Sequence, residues 1–167
     1  MSEVSTAVHE AGHAVLTRYF KMMIECVAVS PACGLNIGDG ITKAAGQPSR
    51  NEDRAVIFLA GFAAECQHSP GAMSLNDFRT GLRYAADRTQ LDKVMHSCLP
   101  ANLDENKQET ELDKLIEREF NRALELVTNP ELWRAIVALS ERLVREPHQL
   151  TGEEAMLIID AELERTQ

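Results

Sequence analysis

Aromatic residues, basic residues and long apolar runs are all scarce in this chain, and each shortage closes off a class of function. Aromatics make up 5% of its 167 residues, so the core must be built from Leu, Val, Ile and Ala. Lys and Arg number 17 against 26 Asp and Glu, a net charge of −9. Nucleic-acid surfaces take most of their affinity from clustered cations, so no nucleic-acid partner is expected. A polybasic membrane contact is disfavoured for the same reason. No apolar run reaches the ~18 residues of a spanning helix; the strongest, Ala55 to Ala64, is too short. The opening Met-Ser-Glu-Val-Ser lacks the basic start and apolar stretch of a secretory leader. No membrane insertion is therefore expected. Only Cys26, Cys33, Cys66 and Cys98 are present, with no Cys-x-x-Cys pair to suggest a zinc knuckle or a disulfide framework. They read as inert thiols of a reducing compartment, which makes the expected location cytoplasmic.

What is present is an ordinary globular balance, 44% hydrophobic and 26% charged. A chain this long buries roughly 68–70% of its unfolded surface, enough for a core without staples. Glu3 to Met22 has helical length, no Pro, and apolar residues around most of its circumference, the pattern of a buried helix. Glu25 to Ser30 and Leu35 to Ile37 alternate as short strands around a Pro-Ala-Cys-Gly turn, and Gly38 to Pro48 reads as loop. Ser49-x-x-Glu52 is a capping box for a second helix that ends by His68-Ser69-Pro70-Gly71. A third helix is predicted from Ser74 to just before Cys98, with Leu75, Phe78, Leu82 and Ala86 at helical spacing. The last third predicts three helices. The first ends at Asn129-Pro130, the second stops by Pro147, and Thr151-x-x-Glu154 caps the third. The fold class expected is mostly α with a small β-element. It forms one domain over residues 1–167, divided into residues 1–99 and a C-terminal helical part, 108–167.

The chemistry is concentrated in His9-Glu10-Ala11-Gly12-His13. Positions i and i+4 of a helix lie one turn apart on one face. Two imidazoles there can share one Zn²⁺ at about 2.0–2.1 Å. Glu10 projects ~100° around the helix from His9, beside the ion rather than on it, where its carboxylate can take a proton from water. Burying two histidines and a carboxylate without a partner would cost several kcal/mol, and a metal removes that cost. Catalytic zinc takes a third protein ligand and keeps a fourth position open. His68, Asp77, Glu65, His96 and His148 are the candidates, and spacing does not choose among them. Ser74-x-x-Asp77 is also a capping box, which gives Asp77 an ordinary structural reading.

Thr6-Ala7-Val8-His9-Glu10-Ala11-Gly12-His13-Ala14-Val15 resembles the catalytic helix of the FtsH-type peptidases, membrane-anchored AAA+ zinc proteases. Further resemblances follow in order. Gly61-Phe62-Ala63-Ala64-Glu65 is similar to that family's Gly-Gly-Arg-x-Ala-Glu-Glu helix. Ser74-Leu75-Asn76-Asp77-Phe78 is similar to its Ala-Ser-Asn-Asp-Leu segment. Leu115-Ile116-Glu117 through Leu126 is similar to a later helix. The resemblance implies a zincin-like helical metallopeptidase domain, with residues 1–99 as its zinc-site half. It makes Asp77 the third zinc ligand beside His9 and His13, with His68 as the alternative. Glu65, on an apolar helix, becomes a candidate to orient a ligand histidine from behind; an ordinary salt bridge is the competing reading.

The chain departs from the family in two motif positions, Ala60 for the first Gly and Cys66 for the second Glu, and in having no Gly-x-x-x-x-Gly-Lys-Ser/Thr loop. The expectation is a stand-alone zinc metalloendopeptidase, with Glu10 as catalytic base. It would act without ATP on peptides or unfolded proteins, aligning them along the strand near Cys26 to Ser30. The alternative is a catalytically silent zinc-binding adaptor or oligomerisation module. A homo-oligomer or an ATPase acting in trans completes the list of expected partners.

Overall fold

A computed structural model describes residues 3–30, 39–48, 50–100 and 103–165. Its architecture is mostly helical with one small sheet. Helix α1 (Glu3–Tyr19) runs through the middle of the molecule. Ala7, Val8, Ala11, Ala14, Val15 and Leu16 are buried on several of its sides, as the all-round apolar pattern predicts. Strands β1 (Met23–Val29) and β2 (Gly40–Ala45) follow, then α2 (Asn51–His68) and α3 (Leu75–Thr80). A 3-10 turn over Leu82–Tyr84 leads into α4 (Ala85–His96). Helices α5 (Glu105–Thr128) and α6 (Pro130–Leu143), strand β3 (Gln149–Thr151) and helix α7 (Gly152–Glu164) complete the chain.

The sheet is antiparallel, in the order β2-β1-β3. One expectation changes here. Gly40–Ala45 is a strand rather than loop, because it pairs with β1 from Met23↔Ala45 to Val29↔Gly40. Residues 40–45 have no apolar alternation, so only the partner reveals them. The predicted strand at Leu35 to Ile37 lies outside the described residues, as does the Ser49 of the expected capping box; the observed N-cap of α2 is Arg50. The three C-terminal helices stand where periodicity places them, and Thr151 and Glu154 make the reciprocal capping box.

Tight packing of α1 on α2 fixes the centre of the molecule. A Cβ at Gly12 would sit 2.6 Å from the Ala60 carbonyl oxygen and 2.8 Å from Ala64 Cβ. Gly12 thus lets the two helix backbones meet, and small residues at 60 and 64 complete the contact. The few aromatics are pooled under the same region. Phe62 lies 5.0–5.5 Å, centroid to centroid, from Tyr84, Phe78 and Phe120, distances typical of favourable aromatic pairs. This cluster holds the α3–α4 segment against α2 and α5.

That segment is not the single helix predicted from Ser74 to Cys98. It breaks at Gly81, whose extended backbone (φ −69°, ψ 127°) ends α3 and begins the 3-10 turn. The Arg88 guanidinium donates to the carbonyls of Phe78 and Gly81 and ties the break shut. Leu82 consequently points outward, 89% exposed, rather than joining the core stripe. Among the described residues, no helix is long and apolar enough to cross a membrane.

Candidate metal centre

Two neighbouring turns of α1 carry His9 and His13, whose rings meet edge to face with centroids 4.6 Å apart. Their Nε2 atoms are 3.0 Å apart. Asp87, in the first turn of α4, brings Oδ2 to 3.1 Å from His9 Nε2 and 3.6 Å from His13 Nε2. Tetrahedral ligands at ~2.0–2.1 Å from a zinc ion lie roughly 3.3 Å from one another. The separations of these three atoms bracket that value.

The protons on the far side of each ring sharpen the fit. His9 Nδ1 is 2.6 Å from Glu65 Oε1. The Glu65 carboxyl resists ionisation because it is buried, but hydrogen bonding to His9 and the charges of His9 and Arg83 hold its pKa below the usual range. An ionised carboxylate only accepts, so Nδ1 of His9 carries the hydrogen. His13 Nδ1 is 2.7 Å from the Ile57 main-chain oxygen, which also only accepts. In their neutral forms both rings therefore aim a bare Nε2 lone pair at the other and at the Asp87 carboxylate. Three acceptors facing one another with no donor repel. The arrangement calls for a cation, and a nitrogen–nitrogen–carboxylate set suits zinc. On the Nε2 side, a Cβ at Gly61 would stand 2.5 Å from His13 Nε2 and 2.6 Å from His9 Nε2. Only glycine leaves the imidazoles room there.

Protons are the alternative cation, and the titration behaviour reflects this. Burial disfavours charge on His9, but hydrogen bonds to Asp87 and Glu65 outweigh it and raise its pKa from 6.5 to about 10. His13 is raised as well, its burial overcome by the charge and hydrogen bond of Asp87. Asp87 is held low: burial opposes its charge, yet His13 and His9 more than offset that. A group with a raised folded pKa stabilises the fold fully below its unfolded value and loses that contribution as pH rises through the folded value. Metal-free protein should therefore lose stability as the pH rises from 6.5 toward about 10. Zinc-loaded protein, its lone pairs already satisfied, should not. Denaturant melts at pH 7 and 9.5, with and without zinc, give the comparison.

Glu65 is 2% exposed and holds the back of the centre together. Besides His9 it accepts from Ser5 Oγ at 3.1 Å and Tyr84 Oη at 3.4 Å, and it is ion-paired with Arg83. Arg83 lies over the Tyr84 ring at 4.5 Å, and that ring is stacked near His9 at 5.9 Å. The two readings of Glu65 coincide, since it makes a salt bridge and also fixes the His9 ring.

Glu10 is 6% exposed and accepts a hydrogen bond from Thr42 Oγ1 at 2.7 Å. The same hydroxyl lies 3.0 Å from the Glu10 main-chain oxygen. Thr42 is on β2, so the unforeseen strand is what positions this carboxylate. A cleft of about 800 Å³ opens over the centre, with Glu10, His9, His13 and Asp87 in its wall.

Of the expected residues, His9, Glu10, His13 and Glu65 are brought together. Asp77 is not. It is the third residue of α3 and its carboxylate accepts from Ser74 N at 2.6 Å and Ser74 Oγ at 2.7 Å, the capping box at the start of that helix. The place expected for it is taken by Asp87. The break at Gly81 separates the two residues: Asp77 is on α3, and Asp87 is on α4. A glycine inside a predicted helix was the one signal for this. His68, the alternative, is exposed at the end of α2. His96 bonds the Asp92 carbonyl and His148 the Leu143 carbonyl. Cys26, Cys66 and Cys98 are free and half-buried. Cys33 lies outside the described residues. Among the described residues, His9, His13 and Asp87 form the one group with metal-binding spacing. Comparison of the chain with protein-family models and with curated proteins gives no match.

Proposed function

We propose that this chain is a zinc-dependent metallopeptidase with a zincin-like site, and that His9, His13 and Asp87 hold the ion. The reading rests on one observation. Two imidazole Nε2 atoms and a carboxylate oxygen converge, each ring turning its Nδ1 to an acceptor behind it, while a second carboxylate, Glu10, lines the same cleft. Zinc bound there supplies Lewis acidity toward a scissile carbonyl and acidifies an attacking water.

The residues divide the remaining work. Glu10 accepts the proton of the attacking water and passes it to the departing amine. Thr42 keeps that carboxylate turned to the cleft, and Glu65 keeps the His9 lone pair aimed at the ion. The strand that would align a substrate is β2. The expected strand near Cys26 to Ser30 is the central one, and β2 and β3 occupy both its edges. Among the described residues β2 is an edge strand, and Gly40, Ile41, Thr42 and Ala44 of it line the cleft. Edge strands bind extended peptides by main-chain pairing.

Opening a folded domain costs ~5–15 kcal/mol, and no Gly-x-x-x-x-Gly-Lys-Ser/Thr loop occurs in this sequence to draw on ATP. Short peptides and unfolded proteins are the substrates expected. Purified protein should bind one zinc and cleave an unfolded protein such as reduced, alkylated casein. ATP should have no effect and a chelator should stop the reaction. Stably folded proteins should be cut slowly, in proportion to their opened fraction. Stoichiometric zinc without cleavage would favour the silent adaptor instead, and ATP-stimulated cleavage only with cell extract would indicate an ATPase in trans.

A further inference from the structure

Among the described residues, the charged side chains in the cleft wall are partnered with one exception. Arg83 is paired with Glu65, and Glu10 is bonded to Thr42. Arg54, on α2, also lines the cleft and is half-buried. Its neighbours in sequence are engaged elsewhere: Glu52 with Arg50, and Asp53 with Arg122. Among the described residues, no carboxylate or other side chain pairs with the Arg54 guanidinium. Partly desolvating a cation without a partner loses solvation that nothing in the fold returns. A guanidinium presents a planar fork of donors matched to a carboxylate.

Its position gives the vacancy a direction. Ile57, one turn further along α2, bonds His13 through its carbonyl, and Gly61, a turn beyond, abuts both Nε2 atoms. Arg54 thus stands on the face of α2 that carries the metal centre, seven residues before Gly61. At ~1.5 Å rise per residue that is roughly 10 Å along α2. An extended peptide advances ~3.3 Å per residue, so a group held by Arg54 lies about three residues from the bond being cut.

Resting on the peptidase reading above, we infer that Arg54 is a specificity-determining residue that receives a carboxylate of the substrate, two to four residues from the scissile bond. The carboxylate is an Asp or Glu side chain or the peptide's own C-terminus. The inference opposes what the net charge of −9 suggests by itself, a preference for basic substrates. Long-range charge acts on encounter, whereas a half-buried fork acts on the bound peptide.

Cleavage of a mixed peptide library, supplied with free and with amidated C-termini and read by mass spectrometry, tests it. One position two to four residues from the cut should be enriched in Asp and Glu in both libraries if side chains are read. The cut should stand a fixed distance from the end, in the free library only, if the terminus is read. A matched pair of peptides differing by Glu or Gln at that position should then differ about tenfold or more in kcat/KM, chiefly through KM. Arg54→Met should abolish that ratio and Arg54→Lys should restore part of it. Unchanged zinc stoichiometry and melting temperature would show that both variants fold. Binding of the same pair to zinc-loaded Glu10→Gln protein, by fluorescence anisotropy, should show the same preference without turnover. Efficient cleavage with no acidic or terminal preference, or a preference that survives Arg54→Met, overturns the inference and leaves the peptidase reading intact. Absence of both cleavage and peptide binding overturns the peptidase reading, and the inference falls with it.

Discussion

Asp87→Ala should cost more than about 100-fold in zinc affinity, and peptide hydrolysis with it, whereas Asp77→Ala should leave both unchanged. The first figure is a floor, because changing even an outer partner of a zinc ligand typically costs 10–100-fold. Asp87 contributes the sole carboxylate within 4 Å of the two Nε2 atoms among the described residues. Losing it removes the carboxylate proposed as the third ligand. Asp77→Ala, by contrast, removes the capping interaction with Ser74 and should lower thermal stability only slightly. Competition with a chromophoric chelator measures the affinities, and a melt on each variant separates metal loss from unfolding. If Asp77→Ala releases the metal and Asp87→Ala does not, the assignment of the third ligand is reversed.

Glu10→Gln should separate binding from chemistry. The substituted amide oxygen can still accept from Thr42 Oγ1, so the side chain keeps its orientation. What it loses is the capacity to take a proton at neutral pH. A positioned general base is worth about 10²–10⁴ in rate, and hydrolysis should fall by that factor while zinc affinity stays near that of the parent protein. Single-turnover cleavage measured beside zinc content gives both readings on one sample. A large loss of zinc in Glu10→Gln would mean that this carboxylate belongs to the metal set; unchanged hydrolysis would mean that another group is the base.

The two expected results differ in how their residues came to notice. His9, Glu10 and His13 belong to one helix, and helix geometry is local: a spacing of four puts two rings on one face whatever the rest of the chain does. The same reasoning made α1 a buried helix, placed the three C-terminal stripes and identified Thr151 as a cap. Glu65 was visible as the odd carboxylate on an apolar helix. Asp87, Thr42 and Arg54 were not visible in this way, and each for a stated reason. Asp87 lies beyond the break at Gly81, in a segment that the apolar spacing of Leu75, Phe78 and Leu82 presents as one continuous helix. Thr42 lies on a strand without alternation, formed because β1 supplies the hydrogen bonds. Arg54 carries meaning only through what is absent around it once α2 is packed.

The sequence by itself determined the helical class, the buried position of α1 and the pair of imidazoles with their neighbouring carboxylate, because each follows from periodicity within one element. Only the tertiary structure decided which acid faces those imidazoles and which hydroxyl turns Glu10 to the cleft. It also decided which acceptors the two Nδ1 atoms face. Those outcomes depend on where separate elements meet, and Gly12 and Gly61, by letting α2 close on α1, set that distance.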